Sequence, residues 1–338
     1  MNNAPNIEPE FALAGGCQGP ARVHRRRQRP KPSSTLLGLL VATVGRWTLA
    51  LSFLCLAPLQ PPALAAKLTP ETLRAWDTYI HTAQSSLETR AQNESAFLCM
   101  DDDRECANRV RQGETIVKGN GPSSIPGGMI HDWSGAIFIP RVSLRDVLQI
   151  VQDYDRYMLY YPPEVLNSST LGGTGEYHRS SMRWLKKVLF VTAVFDTEHS
   201  SRYVALDANR MYSIDRTTLV QEVENYGRGD ERKLPAGTGH GYLWHVYTIS
   251  RYEQRDGGVY LEMRVIGLTR DVPASVRWLV NPIIGRLPRE LLRTTLTQTR
   301  DAVLTLAPTQ KGLQSSDHPA PQPTDAHPRL TPAAMRRR

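Results

Sequence analysis

The sequence predicts an α+β protein: an antiparallel sheet with one covered face, a long helix after it to do the covering, and a helical lead-in before it. Two patterns carry most of this. In the C-terminal part of the run 129–268, Val259, Leu261, Met263 and Val265 alternate with Tyr260, Glu262 and Arg264, as a half-buried strand requires, and Arg255-Asp256-Gly257-Gly258 marks a hairpin before it. From Pro288 to Leu306 the apolar residues Leu292, Leu296, Val303 and Leu306 recur at spacings of three, four and seven, with Thr299 on the same stripe, which marks one side of a helix. A long amphipathic helix placed after strands needs a sheet to lie on.

In chain order, residues 1–65 read as a signal peptide with a long basic leading region. The cluster Arg25-Arg26-Arg27-Gln28-Arg29 precedes an apolar core at 48–59, and Ala63-Leu64-Ala65 offers a small-residue cleavage site. This makes the chain exported, periplasmic or secreted. The alternative is an uncleaved anchor, against which Arg46 sits near the centre of the span 35–59, where a charge costs roughly 3 kcal/mol. Residues 66–127 read as a helical lead-in and loop. Thr69 caps a helix with Pro70 at its first position and Leu73, Trp76, Ile80, Ala83 and Leu87 on one face. A second short helix is expected near Asp102–Gln112, and the breaker-rich stretch 119–128 is expected to be a loop.

Cys99 and Cys106 are an even pair beyond the leader, and in an exported protein they favour a disulfide. A metal site is the alternative, but two cysteines without a nearby histidine leave a tetrahedral set incomplete, and Asp101-Asp102-Asp103 lacks the glycine turn of a calcium loop. No metal or cofactor is implied.

The main domain, 128–307, opens with a strand at 129–139. Ser143 caps a helix, 144–153, and Tyr160 must end a second one before Pro162. Strands are expected at 165–171, 177–184, 188–195, 203–207, 211–224, 240–252 and 259–268. Asp271 and Pro273 start the last helical region, broken by Pro282 and Pro288. Residues 308–338, rich in Pro, Ser, Gln and His, form a tail too poor in apolar residues to fold. Its end, Arg336-Arg337-Arg338, would give a peripheral membrane contact of about 1 kcal/mol per charge.

The formal charge is +8, but the surplus sits in the leader and the tail; residues 66–306 carry as many acidic as basic side chains. A nucleic-acid partner, which needs a basic face on the folded part, is disfavoured.

Strand, two short helices, a run of antiparallel strands and a long helix resemble the START-like (SRPBCC) superfamily, the helix-grip or Bet v 1-like proteins that include polyketide cyclases and lipid carriers. The residues that carry the resemblance are Gln152–Tyr157 with Tyr161-Pro162, Gly257–Glu262, Leu268–Pro273, and Leu287–Glu290 leading to Thr299-Arg300. It spans about 128–306 and is most like a bacterial exported branch of that superfamily. The resemblance implies a curved sheet wrapped around the C-terminal helix, with a cavity between them for a lipid or other apolar small molecule. Tyr157, Tyr161, Trp244, Met263, Leu292, Leu296 and Thr299 are the expected liners; ordinary core packing is the competing reading for each.

No catalytic motif is present: there is no Gly-x-Ser-x-Gly and no His-Glu-x-x-His, and His240 and His245 are expected on opposite faces of one strand. Three functions therefore stand. The first is an exported, non-catalytic binder or carrier of an apolar molecule. The second is a cyclase- or dehydratase-like enzyme in the same pocket. The third is an envelope protein with a filled core that binds a partner. The sequence leaves ligand identity and oligomeric state open.

Overall fold

A computed structural model of the chain describes residues 67–188, 191–271 and 288–306. The leader, the Pro282 break and the tail lie outside these residues. The lead-in begins with helix α1 (Pro70–Ala91), capped by Thr69, whose side chain accepts from the Thr72 N–H. A short helix α2 (Arg104–Arg111) follows, with Asp103 as its cap. Then come strands β1 (Ile116–Ile125) and β2 (Gly128–Pro140), helices α3 (Leu144–Val151) and α4 (Tyr157–Tyr160), and strands β3 (Val165–Thr174), β4 (Tyr177–Val188), β5 (Val191–Ala205), β6 (Arg210–Glu224), β7 (Arg232–Lys233), β8 (His245–Arg255) and β9 (Gly258–Arg270). A last helix, α5, covers 288–306 among the described residues.

The strands form one nine-stranded antiparallel sheet in the order β1-β2-β9-β8-β6-β5-β4-β3, with β7 paired to β6. Two local features fix its register. Asp256 and Gly257 both have positive φ, 55° and 77°, as the tight β8–β9 hairpin requires. Ser143 and Asp146 cap α3 reciprocally, a capping box that turns the chain off β2.

Two segments differ from the expectation. The breaker-rich stretch 119–128, expected to be a loop, is largely strand β1. As an edge strand it tolerates Pro122, and a bulge between Gly119 and Pro122 absorbs the irregularity. The segments 188–195 and 203–207 belong to one strand, β5, whose middle, Asp196–Arg202, is polar on both faces and so carries no hydrophobic alternation.

Both faces of the sheet are covered, not one. On the inner face Leu292, Leu296 and Val303 of α5 pack with Val147 and Val151 of α3 against Ile137, Ile139, Val259 and Leu261. On the outer face Trp76, Ile80, Ala83 and Leu87 of α1 pack on Ile130, Ile249, Ile266 and Leu268. Phe97, Leu98, Cys106 and Val110 cover Ala136, Phe138 and Tyr260 beside them. No helix among the described residues is long and apolar enough to cross a membrane.

Candidate ligand-binding site

Strand alternation sorts the inner face into rows, and their chemistry changes steadily across it. Nearest α3 the row is Met211, Tyr252, Leu261, Ile137, which is apolar save for one phenol. The next is Tyr203, Ser213, Ser250, Met263, Gly135; the next again is Ser201, Asp215, Thr248, Val265, Trp133. Beyond these, Ser180 of β4 faces His199 of β5, and Met182 faces Thr197, with Ser168 of β3 opposite Met182. The face is thus apolar on β2 and β9 and polar on β3 to β6.

Helix α5 sits on the apolar side. The missing side chain of Gly135 admits Leu296, whose Cδ1 lies 2.7 Å from where a Cβ would stand. Arg300 donates to the Gly113 carbonyl at 3.2 Å and Gln298 to the Pro162 carbonyl at 2.6 Å, which ties the helix at both flanks. Thr299 donates back to the Thr295 carbonyl at 2.8 Å, so the Tyr161 hydroxyl at 3.1 Å donates to Thr299. The tyrosines of the short helices close this end. Tyr203 and Tyr157 both donate to the Val151 carbonyl, and Tyr154 meets Tyr203 at 3.0 Å. Burial pushes Tyr161 up to about 12 and Tyr157 and Tyr203 well above the ordinary phenol value, so all three remain neutral donors at physiological pH.

The polar side is built around His199. Its Nδ1 lies 2.9 Å from Asp215 and its Nε2 3.0 Å from Thr197 Oγ1. Ser201 donates to the other Asp215 oxygen at 2.7 Å. Burial works against the Asp215 charge, yet the His199 ring and the hydrogen bonds from His199 and Ser201 outweigh it and hold the carboxyl below its usual range. Thr197 also receives the Trp184 indole N–H at 3.1 Å. Serine, histidine and aspartate are all here, but not as a catalytic relay: both histidine nitrogens are engaged, and Ser201 bonds to the aspartate instead of the histidine. Two hydroxyls on this side have no partner. Ser180 is 1% exposed and Ser168 8%, and neither Oγ makes a hydrogen bond. At the far end of β4, Lys186 lies 3.8 Å from Glu164 and 5.8 Å from the Trp184 ring centroid; burial lowers it to about 8, against a smaller opposing pull from Glu164.

Sheet, short helices and gripped C-terminal helix are now all placed. The fold is the START-like helix grip. Solved structures resemble the chain at low identity. They include a STAR-related lipid transfer protein of Xanthomonas axonopodis (15% identity, TM-score 0.36, covering 54% of this chain and 97% of that one) and the Zhui aromatase/cyclase of Streptomyces sp. R1128 (10%, 0.34, 53% and 96%). Human STARD10 is similar at 11% identity and a TM-score of 0.37, over 66% of this chain and 87% of its own. No family model matches the sequence. No curated protein matches it either.

Within this helix grip, Leu292, Leu296 and Thr299 are buried on the inner face, and Tyr157, Tyr161 and Met263 pack partly buried against the same cluster. Trp244 is elsewhere. Strand β8 starts only at His245, so the expected alternation does not run back through Trp244. Its backbone N–H donates to the Leu268 carbonyl at 2.8 Å and its ring packs in the outer cluster with Trp76 and Ile80.

The expected Cys99–Cys106 disulfide is absent: both thiols are free. Cys99 accepts from Arg251 at 3.4 Å, while Cys106 is held in the first turn of α2, packed with Phe97 and Val110. Burial raises both thiols, which favours the protonated, unreactive form. Among the described residues no cluster of histidine, cysteine or carboxylate side chains is placed to hold a metal.

Apolar alternation does not mark His199, Asp215, Ser168 or Ser180. The signal was there: Thr197, His199, Ser201 and Tyr203 recur at the strand period of two. A solvent-open groove of about 500 Å³ also lies on the outer face, between α1 and β8, lined by Trp76, Asp77, Arg216 and His245. An apolar molecule there would keep much of its surface in water.

Proposed function

We propose that this protein binds a lipid or other apolar small molecule between the inner face of its sheet and helix α5, and carries it without transforming it. One observation supports this above the others: the interior is not uniformly apolar, but pairs an apolar floor with a buried polar wall on which two hydroxyls lack partners. A solid core selects against such groups, because each costs about 1–3 kcal/mol when unmet. A ligand site needs an apolar surface and a few polar groups to orient what it holds. Export belongs to the same proposal; it rests on the leader, outside the described residues.

The test is to purify the protein gently, extract it with organic solvent and analyse the extract by mass spectrometry. A stoichiometric lipid or apolar compound is the expected result. An empty protein that also binds no added apolar fluorophore would overturn the proposal and favour a filled core.

A further inference from the structure

Ser168 and Ser180 lie on neighbouring strands, Ser168 opposite Met182 and Ser180 two residues before it, so they are diagonal neighbours on one face. Ser180 also stands directly opposite His199. Both hydroxyls are buried and without partners, while the His199–Asp215 group opposite Ser180 is committed. His199 spends one nitrogen on Asp215 and the other on Thr197; Asp215 spends its oxygens on His199 and Ser201; Thr197 also takes the Trp184 N–H. Beside His199 the wall therefore offers two free hydroxyls, each able to donate and accept, and one carboxylate, Asp215, that is hydrogen-bonded on both oxygens.

From this we infer that Ser168 and Ser180 receive the uncharged hydroxyl or carbonyl head of an amphipathic molecule whose tail runs over the apolar rows towards Leu261 and Leu296. The inference rests on the binding reading above and narrows its ligand class. A carboxylate or phosphate head lies close to the Asp215 carboxylate, and Lys186 further along β4 faces Glu164 at 3.8 Å. An ammonium head would have to share the Asp215 oxygens with His199 and Ser201. A bare hydrocarbon leaves both hydroxyls unmet. An alcohol or ketone meets them at no desolvation cost for an ion.

The experiment uses the full chain loaded with Nile red as a neutral reporter. It is titrated at pH 8 with 1-dodecanol, 2-dodecanone, dodecanoate and dodecane. The alcohol and the ketone should displace the reporter at about tenfold lower concentration than the other two, the factor expected of one well-made neutral hydrogen bond. In Ser180→Ala, and further in the Ser168→Ala/Ser180→Ala double variant, that advantage should shrink to about twofold or less, while Tm stays level or rises because an unmet buried hydroxyl has been removed. Equal displacement by all four compounds, or stronger displacement by dodecanoate, overturns the head-group assignment and leaves the binding reading standing. Failure of Nile red and of all four compounds to bind overturns the binding reading itself. The comparison of compounds on the unaltered protein decides the matter even where a variant folds poorly.

Discussion

The two faces of the sheet both bury polar groups, but of different kinds. On the outer face the charges Arg251, Glu262 and Asp132 are matched across elements, beside a Tyr247 hydroxyl and a Trp244 indole N–H that have no partner. Arg251, 2% exposed, meets Glu262, 3% exposed, at 2.6 Å, and Glu262 also takes the Met100 N–H, which fastens the lead-in to the sheet. Asp132 does the same for α1, joining Arg264, Asn120 and Tyr79. On the inner face the buried polar groups are mostly hydroxyls, with one histidine–aspartate pair. A buried charge demands its partner permanently, because the desolvated partner left behind is costly. A hydroxyl can change partners as contents change. On the binding proposed above, the outer face stays shut and the inner one accepts its occupant.

The sharpest way to break this contrast is at the outer charges. Glu262→Ala strands the Arg251 guanidinium and should lower stability by about 3–5 kcal/mol in urea unfolding. The region 94–111 should become protease-sensitive at the same time; a loss under about 1 kcal/mol would show that the pair fastens nothing.

Next comes the gripped helix. Leu296→Ala should cost about 2–5 kcal/mol, because Leu296 is fully buried and fills the notch over Gly135. A much smaller loss would place open space beside Leu296, and the same variant should then hold a larger probe.

Lys186 tests the polar side by pH. Its folded form binds the proton less tightly than the ordinary value of 10.5, at about 8. Between those values the unfolded chain therefore holds more protons, and stability rises with pH; below about 8 both states are protonated and the full penalty, about 3 kcal/mol, is present. Lys186→Met should flatten the rise in Tm between about pH 8 and 10; an unchanged slope would mean the ammonium is well solvated.

The smallest effect concerns the link between the tyrosines and α5. Thr299→Val leaves the Tyr161 hydroxyl without its acceptor and should cost about 1–3 kcal/mol, offset in part by the better burial of a methyl. No loss would show that Tyr161 finds another acceptor inside.

The sequence by itself determined most of the elements and their order, β1 and the continuity of β5 excepted. Thr69-Pro70 starts α1, Ser143 starts α3, Asp256-Gly257 turns β8 into β9, and the Leu292, Leu296, Val303 stripe marks the gripped helix, all through local chemistry within a few residues. Much of the apolar side of the site followed, since apolar alternation reports burial directly. Only the tertiary structure decided the rest. The pairing of β4, β5 and β6 turns the polar residues Ser180, His199, Ser201 and Asp215, scattered over some thirty-five positions, into one inner wall, and no local pattern reports such cross-strand neighbours. Trp244 moved to the outer face because a strand's start, which depends on its partners, decides which side a residue takes. The two cysteines stayed apart because Cys99 turned to the Arg251–Glu262 pair, more than a hundred residues away along the chain.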